Sequence, residues 1–288
     1  MNAKQRTRPQ NLCMGIVLLG LCAAVQAHQV WLEQPESGNA VLRFGEFGEN
    51  LRETSPGLLD NFGAPSAKLF TKGKAREITP VKAAMGFTLP VRAARGESLT
   101  AEDSLFPIRV SARREGPEGR EGRGEGSREG REGAREAREG GREGRGEGAR
   151  EGREAAREFR SLFWPAARFV TDFSAQTPGL TLDIVPTGKA GAFKVTFKDK
   201  PLPKADVQIV VQSGWRKRGR TDAEGVVTFD LPWKGQYVLE VSHVERTPGE
   251  RNGEKYDSIN YATTLTFVQP TGAAPAPAGP AAKPNPGK

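Results

Sequence analysis

The chain has 288 residues, with 43 Lys+Arg against 35 Asp+Glu for a formal net charge of +8. Its conspicuous bias is confined to 113–158, where 46 positions hold 13 Arg, 13 Glu, 13 Gly, five Ala, one Pro and one Ser. With no aromatic and nothing aliphatic beyond Ala, that tract cannot build a core, and its own net charge is zero, so the +8 belongs to the remainder of the chain.

Residues 1–27 read as an export signal. Lys4, Arg6 and Arg8 form a basic start, 12–25 is apolar, and Val25-Gln26-Ala27 places small residues where signal peptidase selects them. An apolar run of about 14 is short for a membrane anchor. Leu21 before Cys22 argues against a lipoprotein signal, which needs a small residue there. Cleavage after Ala27 removes both cysteines, Cys13 and Cys22, and excludes disulfides, thiolate nucleophiles and Cys-ligated zinc from the mature chain. It also lowers the net charge from +8 to +5, a scattered excess that argues against nucleic acid as a partner. The expected location is periplasmic, with no transmembrane segment in the mature chain and His28 as its first residue.

From 28 to 112, alternation is brief and broken by Gly and Pro. It predicts strands at 28–32, 40–44, 67–70, 86–91, 98–101 and 107–112, with no sustained helical period. The tract follows. Frequent Gly excludes a stable helix, irregular Gly spacing with a single Pro excludes collagen, and the lack of aromatics excludes an RNA-stacking segment. A disordered, solvated polyampholyte insertion remains. The aromatic-rich stretch 159–186 is assigned back to the first domain, with a strand at Leu180, Leu182, Ile184 and Val185.

Residues 191–268 show the clearest pattern. Phe193, Val195 and Phe197 alternate with polar residues, as do Val207, Ile209 and Val211, then Val227, Phe229 and Leu231, then Tyr237, Leu239 and Val241, and 261–268 closes the series. Short strands with turn signals every 8–12 residues indicate a β-sandwich. The expected fold class is all-β: two Ig-like or prealbumin-like β-sandwich domains, 28–190 and 191–268, the first interrupted by a long disordered insertion. The Pro/Ala-rich 269–288 is expected to be a disordered tail.

The mature chain carries two histidines, His28 and His243. No G-x-S-x-G elbow, H-E-x-x-H, P-loop or dinucleotide fingerprint is present, which disfavours the corresponding enzymes. His28 is the distinctive residue. At a processed N-terminus its α-amine and ring Nδ1 can chelate one metal ion, and both can lose their protons near neutrality when metal competes. His243 is the candidate partner, giving a nitrogen-rich, thiol-free set suited to copper or nickel. Each has a plainer role: His28 shares a strand face with Val30 and Leu32, and His243 is in phase with Tyr237, Leu239 and Val241. The tryptophans Trp31, Trp164, Trp215 and Trp233 are expected to pack rather than form a ligand platform.

His28-Gln29-Val30-Trp31-Leu32-Glu33 after a signal peptide resembles exported bacterial proteins with a domain of uncertain function linked to nickel and cobalt uptake. The resemblance continues in Leu182-Asp183-Ile184-Val185-Pro186, Lys200-Pro201-Leu202, Ala205-Asp206-Val207, Thr221-Asp222-Ala223-Glu224-Gly225, Gly235-Gln236-Tyr237, His243 and 261–267. Residues 193–242 also look like the prealbumin-like sandwich repeat. The resemblance implies a periplasmic protein of two β-domains working with metal-uptake transporter components. Importer subunits of that kind carry a membrane helix and a histidine second in the mature chain. A histidine in first position resembles periplasmic copper-binding sandwiches and histidine-brace oxygenases instead, so Ni, Co and Cu all stand as candidate ions. The leading expectation is a metal-binding protein, not an enzyme. Its rivals are a metal-free structural or interaction module of the envelope and a copper-dependent oxidative enzyme.

Overall fold

The computed structural model describes residues 28–104, 106–112 and 158–285, so the expected export signal and nearly all of the Arg/Glu/Gly tract lie outside the described residues. The fold is all-β. In chain order the strands are β1 (Gln29–Glu33), β2 (Ala40–Glu46), β3 (Leu51–Arg52), β4 (Ser66–Thr71), β5 (Lys74–Ile78), β6 (Val81–Ala83), β7 (Gly86–Leu89), β8 (Ser98–Glu102), β9 (Arg109–Ala112) and β10 (Glu158–Val170). They continue with β11 (Leu182–Pro186), β12 (Ala192–Phe197), β13 (Lys200–Pro201), β14 (Asp206–Val211), β15 (Arg216–Arg220), β16 (Val226–Thr228), β17 (Gly235–Glu245), β18 (Gly249–Arg251), β19 (Glu254–Tyr256) and β20 (Ser258–Gln269). Among the described residues no helix is long and apolar enough to cross a membrane.

A nine-stranded sheet forms the middle layer, in the order β15-β14-β17-β20-β10-β8-β4-β5, with β9 also on β10. The sheet β1-β2-β7-β6, with β3 on β2, covers one face, and β11-β12-β13, with β16 on β12, covers the other. Side-chain alternation along the central strands divides the apolar residues between two cores. Phe163, Ala167 and Phe169 of β10 join Val30, Leu42, Phe44 and Phe87 in the first core. Leu162 and Val170, one strand register away, join Ile184, Phe193, Val207, Tyr237, Leu239 and Phe267 in the second. A small third cluster, Trp31, Phe47, Val210 and Val238, fills the space between β1 and the β14–β17 part of the central sheet.

Two boundaries differ from the sequence expectation. The expected domains are not separate beads, because β10 and β20 pair in parallel from Ser161↔Ser258 to Phe169↔Thr266 and fuse both into one sheet. Leu182–Pro186, expected in the first domain, pairs with β12 and belongs to the second sandwich, because its apolar residues fill that core. Ala112 and Glu158, on either side of the Arg/Glu/Gly tract, are cross-strand partners at the end of the antiparallel β9–β10 pair.

β10 itself was hidden by Pro165. A proline lacks the N–H that a ladder needs, but Pro165 falls where β10 has left β9 and not yet met β8, and its carbonyl accepts from Asp103 N at 3.0 Å. β15 has no apolar alternation because it is an edge strand, and its Arg and Lys side chains protect that edge from pairing. The tail also departs from expectation. Ala273 exchanges backbone hydrogen bonds with Pro232 and Lys234, Gly279 O accepts from Asn50 Nδ2 at 3.0 Å, and Asn285 reaches Glu53. Polar backbone anchors hold it along the surface without any apolar pattern.

Candidate functional site

β1 carries the start of the site. Its buried Val30 and Leu32 face the first core while Trp31 faces the third cluster, so the strand is fixed from both sides. Thr264 Oγ1 donates to Val30 O at 2.7 Å and ties β1 to the central sheet. His28 immediately precedes this strand, and its ring lies 5.2 Å from that of Phe44 on β2.

The chain then bends back to bring two acidic residues to the imidazole. The reversal runs through Phe47–Glu49 and the left-handed Asn50, and Gly45 of β2, at φ +144°, lets β3 close against it; a Cβ there would stand 2.3 Å from Leu51 O. Glu46 and Glu53 flank this turn. Glu53, with no exposed surface, accepts from His28 Nε2 at 2.6 Å. Its carboxylate also accepts from Asn285 N and Asn285 Nδ2, each at 3.0 Å. An acceptor at Nε2 holds a ring proton there, so in the neutral ring the lone pair is at Nδ1. Glu46 Oε1 stands 4.0 Å from Nδ1. Burial raises the Glu46 carboxyl above its ordinary range, opposed by the attraction of His28.

This arrangement fits a metal ion in one respect and is incomplete in another. A ligating histidine ordinarily donates its second ring N–H to a carboxylate, as His28 does to Glu53. Two donors on one ion, each at about 2 Å, stand at most about 4 Å apart, and Nδ1 and Glu46 Oε1 meet that limit. Yet among the described residues no group of three or more His, Cys, Asp or Glu side chains could hold a metal ion.

His243 is elsewhere. It follows Tyr237, Leu239 and Val241 on the β17 face toward the second core, and its ring packs 4.4 Å from Phe197. Glu240, of opposite parity, faces β1 and accepts from Gln29 Nε2 at 3.1 Å. The central sheet therefore separates His28 from His243, and the structure does not bring the two together. Nearby Tyr261 donates to Glu245 at 3.3 Å; burial, with that carboxylate, pushes its phenol up to about 12. The tryptophans pack: Trp31 is fully buried, Trp164 is tilted against Tyr261, and Trp215 meets Trp233 edge-on.

Sequence reasoning missed a cavity of about 450 Å³ beside His28, between β1, the Phe47–Glu49 turn and the β15-β14-β17 edge of the central sheet. Its wall includes Gln29, Glu46 and Glu240. Glu240 is pushed up to about 7, by burial first and by Glu46 second. Glu240 falls in the polar phase of β17 beside Gln236 and Ser242, so the sequence carried no signal for it.

Residues 159–245, from β10 through β17, match the model of the family described as Domain of unknown function (DUF4198). No curated protein and no solved structure matches the chain. The chain is thus similar to that family over the central strand and most of the second sandwich, a stretch that includes His243 and ends short of the His28 site at both ends of the chain.

Proposed function

We propose that this is an exported, periplasmic protein that binds a transition-metal ion, nickel, cobalt or copper, through His28 and hands it on to metal-uptake components. The observation that carries the reading is the buried Glu53 on His28 Nε2, which orients the ring and frees Nδ1. After cleavage behind Ala27, Nδ1 and the α-amine of His28 would hold the ion, with Glu46 as the nearest oxygen donor. Two nitrogens and a carboxylate suit these three ions better than they suit calcium or magnesium. His243, on the other side of the central sheet, takes no part in this site, which revises the pairing expected from sequence.

The experiment is calorimetric titration of protein beginning at His28 with Cu(II), Ni(II) and Co(II), beside a form with one extra N-terminal Met and a His28→Ala variant. One-site binding that both changes abolish supports the reading. Equal affinity in all three proteins would overturn it.

A further inference from the structure

The cavity beside His28 has an unusual charge arrangement. Several charges around it are already matched: Arg216 donates to Glu49 at 2.8 Å, and Asp206 accepts from Arg220 at 2.8 and 3.0 Å. Arg218 lies on the exposed edge strand β15. On the inner wall, among the described residues, Glu240 accepts from the amide of Gln29 and Glu46 has His28 at 4.0 Å. Gln29 adds an independent observation. The residue is 8% exposed, its Nε2 is used by Glu240, and its Oε1 is buried with no hydrogen-bond partner among the described residues.

An acceptor left unpaired in a buried position costs about 1–3 kcal/mol, so such a group is kept at a wall where something donates to it. Two carboxyl groups and one amide oxygen converge here, all acceptors when the carboxyls are ionised. The volume, about 450 Å³, is that of a small-molecule site rather than of a bare ion. Val210, backed by the buried Trp31 and Val238, gives the wall an apolar part that accommodates methylene groups.

We propose that this cavity binds a small organic cation of the alkylammonium class, with its N–H donors on Gln29 Oε1, Glu240 and Glu46 and its chain over Val210. Two carboxyl groups favour a diamine over a monoamine, since each carboxylate then receives its own ammonium. The site does not depend on a metal at His28.

Cadaverine is the probe, titrated by calorimetry into protein kept metal-free with EDTA, so that the outcome is independent of metal binding. Hexanoate, a chain of similar size and opposite charge, is the control. The expected result is saturable one-site binding of cadaverine, no binding of hexanoate, and a loss of about tenfold or more in both Glu240→Gln and Gln29→Leu. Thermal melts establish that each variant is folded, and the isosteric Glu240→Gln keeps the test decisive should Gln29→Leu fail to fold. Absence of saturable heat, equal binding of hexanoate, or unchanged affinity in a folded variant would overturn the proposal.

Discussion

Arg168 of β10 and Asp183 of β11, neither with any exposed surface, meet in two parallel contacts, Nε to Oδ1 at 2.9 Å and Nη2 to Oδ2 at 2.5 Å. Asp183 Oδ2 also accepts from Gly179 N and Leu180 N, while Arg168 Nη1 donates to Ser98 Oγ and Gln176 Oε1. The pair stitches the central sheet to the outer sheet of the second sandwich. Desolvating both ions makes such a pair weak evidence for net stability, but removing one partner strands the other charge. Asp183→Ala is expected to destabilise the protein by about 3–5 kcal/mol. The double variant Arg168→Met with Asp183→Leu should recover much of that loss. Urea unfolding followed by tryptophan fluorescence measures both, and a double variant no better than the single would show that the pair's hydrogen-bond geometry, not its charge balance, is what matters.

Glu53 sets the tautomer of His28 and offers a separate prediction. Glu53→Gln keeps the shape but can present an N–H to Nε2 and drive the proton to Nδ1, where a metal would bind. Metal affinity should fall about 10–100-fold, the usual effect of losing an outer partner of a ligating histidine. In the metal-free protein, ¹⁵N chemical shifts of the imidazole should switch from the Nε2–H to the Nδ1–H pattern. That second readout separates repositioning of a proton from general loss of structure.

Glu240 couples stability to pH. Its folded pKa of about 7 lies above the ordinary glutamate value of 4.5, so the folded state holds the proton more tightly than the unfolded state. Stability from this group is complete below about pH 4.5 and declines as pH rises toward about 7, above which the loss levels off. The full effect is of order 3 kcal/mol. Other ionisable groups face the same cavity, namely Glu46, Glu49, Asp206, Arg216 and Arg218, with His28 behind Glu46. The group's own share is therefore read as a difference. Chemical unfolding of wild type and Glu240→Gln across pH 4.5–7.5 should show a flatter profile in the variant.

Sheet content was legible where one strand face is polar. The alternation of Phe193, Val195 and Phe197, and of Tyr237, Leu239 and Val241, identifies core-facing rows that the structure places in the second core. It failed where packing sets conformation against local pattern. β10 is buried on both faces along most of its length and is interrupted by Pro165, so it shows no clean alternation despite its aromatic residues. β15 is a string of basic residues whose strand state comes from its partner β14. His28 stood out because few chemistries use an N-terminal histidine, but Glu53, 25 residues away, is brought to it by the reversal at Phe47–Asn50 and the β2–β3 pairing. Likewise, nothing in the spacing of His28 and His243 reveals that a sheet lies between them. Gln29 and Glu240 are 211 residues apart, and no local signal could have joined them.

The insertion yields the last prediction. Ala112 and Glu158 are cross-strand partners at the end of the β9–β10 pair, so a two-residue Asn-Gly turn can replace 113–157 without altering the register of either strand. Closing a loop of two residues in place of 45 removes about 2–3 kcal/mol of closure entropy, so the shortened protein should be more stable than the full chain. Its tryptophan environment should not change, because Trp164 donates to Glu102 at 2.9 Å and packs on Tyr261 well inside the retained strands. Metal titration should give the same affinity as the full chain, since the partners of His28 among the described residues, Glu53, Glu46 and Asn285, all lie outside 113–157. Calorimetric melting and copper titration of the two forms make the comparison. A shortened protein that melts lower would mean that the inserted segment contributes to the fold, contrary to its composition of Arg, Glu and Gly.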